Sequence, residues 1–159
     1  MHLFFLRHGT AEDPAAGNTD ADRRLTPAGI AEMKQVAQGL RALDLRLDRI
    51  YTSPLPRAEQ TARLVATALG VPDGEVVVEG RLAPGGLRLG TLQTLLEGEK
   101  PSARIMLVGH EPDLSHAAGE LAGGAAIELK KAGLIRIETD RLEPGAGVLR
   151  WLLTPDHLK

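Results

Sequence analysis

The stretch Leu3–Asp13 reads LFFLRHGTAED. Four apolar residues, Leu3–Leu6, are followed at once by Arg7, His8 and Gly9. The apolar run predicts a short, buried strand. An unpaired arginine in a protein core costs roughly several kcal/mol, so a buried strand that ends in Arg7 and His8 needs a partner for their polar groups. We interpret these two side chains as part of an anion site at the end of the strand.

The composition limits the classes of function that the chain can serve. It has 159 residues, a length typical of one domain, and we predict a single domain over residues 1–159. Hydrophobic residues make up 43% and charged residues 25%, which argues against disorder. The net charge of −2 and the small number of aromatic residues argue against a nucleic-acid partner. Cysteine is absent, which excludes a disulfide framework, a thiolate nucleophile and Cys-ligated zinc.

The sequence also bears on where the protein acts. No stretch approaches the length of a membrane span, and the N-terminus lacks the basic region and long apolar core of a signal peptide. We therefore expect a cytoplasmic protein that does not associate with a membrane. We also expect a monomer.

Strand and helix patterns alternate along residues 1–124. Thr26 and Pro27 predict the N-cap and first residue of one helix, and Gly70 is typical of the end of another. The alternation predicts an α/β protein, a three-layer α/β/α sandwich with a mostly parallel central sheet and helices on both faces. Three strand-like runs then predict a β-rich finish: AIELK at 126–130, GLIRIET at 133–139 and GVLRWLL at 147–153.

Charged or histidine side chains follow three of the predicted strands. Arg7 and His8 end the first strand, the second leads through Ser53 to Arg57, and His110 follows the fourth. The carboxyl ends of parallel strands share one edge of a sheet, where ligands bind in this architecture. Helix N-termini at the same edge favour anions. We therefore expect these side chains to converge on one anion site.

Two arginines and two histidines suit phosphate chemistry. Guanidinium groups match phosphate oxygens in bidentate fashion. A histidine with a reference pKa of about 6.5 is largely neutral at pH 7 and therefore nucleophilic. Its attack on phosphorus would give a phosphohistidine intermediate, which water then discharges. Because the arginines supply positive charge, we expect neither a metal ion nor another cofactor.

Several motifs resemble those of the histidine phosphatase superfamily. They are LRHG at 6–9, RRLTPAG at 23–29, SPLPRAEQTA at 53–62 and VGHEPDL at 108–114. The resemblance covers residues 1–115, with the motifs in the family's order. The short chain is most similar to the small SixA-type phosphohistidine phosphatase branch. The resemblance implies a phosphoglycerate mutase-like fold.

The resemblance also implies a role for each matching residue. His8 corresponds to the catalytic nucleophile. Arg7 and Arg57 correspond to the phosphate-binding arginines. His110 corresponds to the second catalytic histidine, which binds phosphate and stabilises the transferring group.

The chain differs from larger members of the family after the third strand. Those members carry a large cap insertion whose Glu serves as a general acid, whereas only GRLAPGGL, at 80–87, stands here. Glu79, Glu111 and Asp113 remain as candidate acids. The leaving imidazole of a phosphohistidine can take its proton from solvent. We therefore expect a phosphorylated protein as substrate, such as a histidine-containing phosphotransfer domain in signal transduction.

Two other functions stay open, a phosphatase for a small phosphate ester and a non-catalytic phosphate-binding module. The intact His8 argues against the second. Ser53 is expected to cap a helix rather than act as a nucleophile, since the sequence has no Gly-x-Ser-x-Gly elbow. Arg23 and Arg24 lie either in a solvated loop or at the rim of the site. We expect a structural or solvent-exposed place for His2, His116 and His157.

Overall fold

The computed structural model describes residues 1–14 and 19–159 of the chain. Its strands and helices are, in chain order, β1 (His2–Arg7), α1 (Pro27–Ala42), β2 (Arg49–Thr52), α2 (Pro56–Leu69), β3 (Val76–Val78), α3 (Leu89–Leu95), β4 (Arg104–Gly109), α4 (Asp113–Leu121), β5 (Leu134–Glu138), β6 (Val148–Leu153) and α5 (Pro155–Leu158). Short 3-10 turns lie at Asp20–Asp22, Asp73–Glu75 and Gly80–Leu82.

The strands of the described residues form one six-stranded sheet, in the order β3-β2-β4-β1-β5-β6. The first four strands in this order are parallel. Strand β5 pairs antiparallel with β1, and β6 pairs antiparallel with β5. The sheet is therefore mostly parallel, as predicted.

Helices cover both faces of the sheet because successive side chains of each strand point to opposite faces. On one face Phe4 packs in a buried cluster with Met33 of α1 and Val65 of α2, and α5 joins this layer. On the other face Phe5 packs with Leu92 of α3, and α4 completes that layer. The predicted three-layer α/β/α sandwich is confirmed.

Local signals set the ends of α1 and α2. Thr26 caps α1, since its Oγ1 accepts a hydrogen bond from Gly29 N at 2.9 Å, and Pro27 is the first helical residue. Gly70 ends α2 with φ of 70°, a conformation that glycine adopts without strain. Both ends agree with the prediction from sequence.

The start of α2 differs from the prediction. The helix begins at Pro56, and Leu55 is its N-cap residue, so the expected role of Ser53 as a helix cap is wrong. Leu55 has extended backbone angles, φ −70° and ψ 136°. Ser53 therefore lies ahead of the helix, where its hydroxyl has a different partner.

The run AIELK at 126–130 is not a strand, whereas the other two predicted runs contain β5 and β6. The side chain of Leu129 is buried, and its carbonyl accepts a hydrogen bond from Arg7 Nη1 at 3.0 Å. Lys130 O accepts from Gly133 N at 2.9 Å in the turn that leads into β5. These carbonyl groups are engaged outside a ladder, so the alternating pattern does not produce a strand.

The ends of β1, β2 and β4 lie level with one another. Arg7 pairs with Gly109, and Thr52 pairs with Val108. We call this row of strand ends the carboxyl edge. The connection that follows β3 at this edge is short and runs over residues 79–88. Within residues 1–14 and 19–159, no helix combines the length and the apolar composition that crossing a membrane requires.

Candidate active site

The residues that follow β1, β2 and β4 meet at the carboxyl edge. His8 N donates a hydrogen bond to Gly109 O at 3.2 Å, which continues the pairing of β1 with β4. Ser53 N donates to Val108 O at 3.0 Å, which does the same for β2. His110 is the next residue of the chain after β4. His8, Ser53 and His110 therefore lie side by side, each directly after the end of a strand.

The four site residues predicted from sequence lie together. The ring centroids of His8 and His110 are 5.2 Å apart. Arg57 Nε, in the first turn of α2, donates to His8 Nε2 at 3.3 Å. Arg7 ends β1, and its charge contributes to lowering the pKa of both histidines. His8, Arg57 and His110 are buried. We call Arg7, His8, Arg57 and His110 the edge cluster.

The hydrogen bonds of His8 define its tautomer. Its Nδ1 lies 2.7 Å from Gly9 O, and a carbonyl oxygen only accepts, so Nδ1 carries the proton. The lone pair of Nε2 then accepts from Arg57. Burial, with the charges of Arg57 and Arg7, lowers the pKa of His8 to about 4, although the bond to Gly9 opposes this shift. The ring is therefore neutral at pH 7.

Gly9 and Thr61 tie the nucleophile candidate to α2. Gly9 N donates to Thr61 Oγ1 at 3.2 Å, and that hydroxyl donates to Arg57 O at 2.8 Å. A Cβ atom at Gly9 would lie 2.7 Å from Met33 Cγ on α1, too close for any larger residue without movement. The loop that carries His8 and the turn that carries Arg57 are thus held together.

The two arginines of the cluster differ in how their donors are engaged. Arg7 Nη1 donates to Leu129 O, while its buried Nε has no hydrogen-bond partner among the described residues. Arg57 Nη1 and Nη2 donate to Asp20 O at 2.7 Å and to Asp20 Oδ2 at 3.0 Å. The Asp20 side chain is 58% exposed and also accepts from Arg23. The hydrogen bond from Arg23, followed by that from Arg57, lowers the pKa of Asp20, which keeps this carboxylate ionised.

His110 is held from one side by a serine. Its Nε2 lies 2.8 Å from Ser53 Oγ, which also accepts from Leu55 N at 3.2 Å. Its Nδ1 is buried and without a hydrogen-bond partner in the described part of the chain. Burial, followed by the charges of His8 and Arg57, lowers the pKa of His110 to about 3. This ring too is neutral at pH 7.

The three candidate general acids are engaged elsewhere. Glu79 accepts two hydrogen bonds from the Arg81 guanidinium, both at 2.8 Å, and this partner lowers the pKa of Glu79. Glu111 Oε1 and Asp113 Oδ2 accept main-chain N–H groups at 3.0 and 2.7 Å. Each carboxylate therefore stabilises its local backbone or an exposed neighbour. Among the described residues, none of the three bonds to the edge cluster.

The sequence left Arg23 and Arg24 either in a solvated loop or at the rim of the site, and the structure places the two arginines differently. Arg23 bonds to Asp20 and to Glu12 O, and its charge contributes to lowering the pKa of His8, so it lies at the rim. Arg24 is exposed and lines a groove with Arg63 on the outer side of α2.

The other three histidines lie outside the edge cluster. His2 begins β1 at the opposite edge of the sheet, and His116 is exposed on α4. His157 Nδ1 accepts from Thr154 N at 3.0 Å and caps α5. Within residues 1–14 and 19–159, no group of three or more His, Asp or Glu side chains could hold a metal ion.

Sequence reasoning missed Asp20, Thr61 and the contact of Ser53 with His110. Asp20 bonds to Arg57 across 37 residues of sequence, Thr61 bonds to Gly9 across 52, and no local pattern points to either contact. Ser53 carried a usable signal. It directly follows β2, just as His8 and His110 directly follow β1 and β4.

Comparison with known proteins identifies the family of the chain. The model of the histidine phosphatase superfamily (branch 1) matches residues 3–83. Phosphohistidine phosphatase SixA of Escherichia coli strain K12 is 30% identical over 161 residues, which cover 100% of this chain and 97% of SixA. The chain belongs to the histidine phosphatase superfamily. It is an enzyme, a phosphatase, as the motifs predicted.

A further relative and a solved structure extend the comparison. An uncharacterized protein of Picosynechococcus sp. strain PCC 7002 is 44% identical over 144 residues, 87% of this chain and 86% of that protein. A structure of the protein histidine phosphatase SixA complexed with tungstate matches with a TM-score of 0.87 at 28% identity and covers 100% of both chains. The phosphoglycerate mutase-like fold class predicted from sequence is confirmed.

Proposed function

We propose that this phosphatase hydrolyses phosphohistidine on another protein, without a metal ion, through a phosphohistidine intermediate on His8. The observation that carries the proposal is the tautomer of His8. The bond from Nδ1 to Gly9 O, at 2.7 Å, leaves the Nε2 lone pair beside Arg57. A neutral imidazole with a lone pair flanked by arginines is a competent nucleophile toward phosphorus.

The reaction proceeds in two displacements at phosphorus. His8 Nε2 attacks phosphorus, the bond from phosphorus to the substrate imidazole breaks, and the departing nitrogen takes a proton from solvent. Arg7 and Arg57 offset the negative charge on the oxygens of the transferring group, and His110 binds one of them. Water then attacks the phosphorus on His8 and releases a proton to solvent. Inorganic phosphate leaves, and His8 returns to its neutral form.

Phosphohistidine fits this site better than an oxygen ester does. An alkoxide leaving group without a proton donor would depart about 10²–10⁴-fold more slowly, whereas imidazole needs little such help. Glu79, Glu111 and Asp113 are engaged in other hydrogen bonds, which supports a substrate that needs no acid. A matched relative and a matched solved structure both carry the name SixA, as a phosphohistidine phosphatase and a protein histidine phosphatase, which supports the same substrate class.

The partner that we propose is a phosphorylated signalling protein, such as a histidine-containing phosphotransfer domain. The short connection at residues 79–88 supports access by a side chain on a protein surface. We also propose that residues 1–159 act as one domain and as a monomer. The proposed site uses no residue from a second copy of the chain.

Trapping the intermediate tests the nucleophile. Brief mixing with a radiolabelled phosphohistidine protein, followed by an alkaline quench that preserves N–P bonds, should leave the label on the peptide that contains His8. His8→Asn should take up no label and should lower kcat by at least about 10⁴-fold. The control His116→Asn changes an exposed histidine on α4 and should match the wild type. Turnover by His8→Asn would contradict the mechanism.

A ranking of substrates tests the specificity. We expect kcat/KM in EDTA to be highest for a phosphohistidine protein, lower for an aryl phosphate, and lowest for phosphoserine protein and sugar phosphate. A sugar phosphate that equals the phosphohistidine protein would identify a phosphatase for small esters. Tungstate binding without turnover of any substrate would identify a phosphate-binding module.

A further inference from the structure

Ser53 makes two hydrogen bonds in a fully buried position. Its Oγ accepts from Leu55 N at 3.2 Å and lies 2.8 Å from His110 Nε2. A hydroxyl group has one proton to donate. Within the described part of the chain, His110 Nε2 is the one acceptor that Ser53 Oγ contacts. Ser53 therefore donates its proton to Nε2.

This bond determines the tautomer of His110. A neutral imidazole that accepts at Nε2 carries its proton on Nδ1. The opposite tautomer would leave the buried Ser53 hydroxyl without an acceptor, which is unfavourable. Nδ1 of His110 is itself buried and has no hydrogen-bond partner among the described residues. The N–H group at Nδ1 is then a buried donor without an acceptor among the described residues, which needs an explanation.

We propose that Ser53 is a positioning residue that holds His110 as the Nδ1–H tautomer, so that Nδ1 donates a hydrogen bond to an oxygen of the transferring phosphoryl group. The part that concerns the phosphoryl group rests on the proposed function. The assignment of the His110 tautomer does not depend on that function. His8 and His110 are both protonated on Nδ1, but His8 presents its lone pair to phosphorus and His110 presents its N–H.

The chemistry of the ligand favours this arrangement. Phosphoryl oxygens accept hydrogen bonds, and a nitrogen lone pair directed at them would be repelled. The rings of His8 and His110 are 5.2 Å apart, which is close enough for both to face one phosphoryl group. Because His110 is neutral at pH 7, its contribution is a directed donor, while Arg7 and Arg57 supply the charge.

Nuclear magnetic resonance of protein carrying ¹⁵N-labelled histidine tests the tautomer directly. Spectra that correlate ring nitrogens with ring C–H protons show which nitrogen carries the proton. The His110 signals are identified by their absence in His110→Gln. We expect a protonated Nδ1 and an unprotonated Nε2 in the wild type. A protonated Nε2 would overturn the proposal, whether or not the protein turns over phosphohistidine.

Variants of Ser53 test its role. Ser53→Ala should shift His110 toward the Nε2–H form, lower kcat/KM about tenfold and weaken tungstate binding by a similar factor. Ser53→Thr retains the hydroxyl and should restore both the spectrum and the activity. Ser115→Ala removes another buried serine, on α4 outside the edge cluster, and should match the wild type in both.

The outcomes separate the two proposals. An unchanged His110 tautomer in folded Ser53→Ala would show that Ser53 does not control it. If Ser53→Ala does not fold, the wild-type spectrum and Ser53→Thr still decide the matter. If the wild type has no phosphatase activity toward any substrate, the proposed function fails, while the spectra and tungstate binding still test the hydrogen bonds of His110.

Discussion

Arginine side chains lie at both edges of the sheet, and carboxylates neutralise their charge to different extents at the two edges. At the amino edge, where β2 begins, Arg49 donates to Glu75 at 2.8 Å and to Glu99 at 2.6 Å. Tyr51 O–H donates to the same Glu99 oxygen at 2.8 Å. At the carboxyl edge, Arg57 donates to one exposed carboxylate and to a neutral histidine.

The positive charge that carboxylates do not neutralise distinguishes a binding site from a group of structural ion pairs. One guanidinium at the amino edge faces two carboxylates, and hydrogen bonds with Tyr51 and Glu75 raise the pKa of Arg49. At the carboxyl edge Arg57 pairs with Asp20, which also pairs with Arg23, and Arg7 is in none of the ion pairs of the described residues. That edge therefore keeps a surplus of positive charge, which an anionic ligand can balance.

Among the changes that compare the two edges, the largest effect should come from removing positive charge at the carboxyl edge. Arg57→Gln should lower kcat/KM about 10³-fold, because an arginine that stabilises a transferring phosphoryl group contributes on that scale. Its thermal unfolding midpoint should fall only modestly, because the hydrogen bonds from Arg57 to His8 and Asp20 are lost but the Asp20 side chain is exposed. Steady-state kinetics and calorimetry on one preparation check both. A stable variant with full activity would show that Arg57 does not serve catalysis.

The second-largest effect should come from acid, which should lower the stability of the protein through the two histidines of the carboxyl edge. The folded pKa values of His8 and His110, about 4 and about 3, lie below the ordinary 6.5. Below pH 6.5 these histidines become protonated in the unfolded chain but stay neutral in the folded chain. Their contribution to the free energy of unfolding is therefore complete above that pH and falls as the pH is lowered toward 4. At pH 5 we expect a loss of about 1–2 kcal/mol per histidine.

Urea unfolding at pH 7 and pH 5 measures this loss. His110→Gln should reduce the difference between the two pH values, whereas His116→Gln, which changes an exposed histidine, should not. Equal stability of the wild type at both pH values would mean that the two rings are not held neutral.

The smallest effect should come from the amino edge. Arg49→Gln should leave kcat/KM within about twofold and lower the free energy of unfolding by about 1 kcal/mol, because partly exposed ion pairs are screened by water. Urea unfolding in low and high salt checks the prediction, since salt should shrink the difference between variant and wild type. A large loss of activity would link this edge to the reaction and break the contrast.

Residues that act through their position in a strand could be predicted from the sequence. Arg7, His8 and His110 lie where a buried apolar run stops, and parallel pairing brings such stops together. Arg57 follows by the same logic, in the first turn of the helix that comes after β2. The sandwich follows from the alternation of strand and helix patterns, because each element must bury an apolar face.

Contacts made across the fold could not be predicted in the same way. A serine before a proline is a local signal for a helix cap, yet the partner of Ser53 lies 57 residues away. The run 126–130 alternates like a strand, yet the carbonyl of Leu129 bonds to Arg7, 122 residues away. Asp20 reaches Arg57 only once the sheet has placed α2. In each case tertiary contact overrides the local preference.

Because the cluster lies on level ends of different strands, it forms only when the sheet is folded. His8 and His110 meet only when β1 pairs with β4, which closes a loop of roughly a hundred residues. A ligand of the cluster therefore binds the native chain and not the unfolded one. At a hundred times its dissociation constant such a ligand adds about 2.7 kcal/mol to the stability of the entire protein. Phosphorylated peptides can thus be ranked by how far they raise the melting temperature, before any is cleaved.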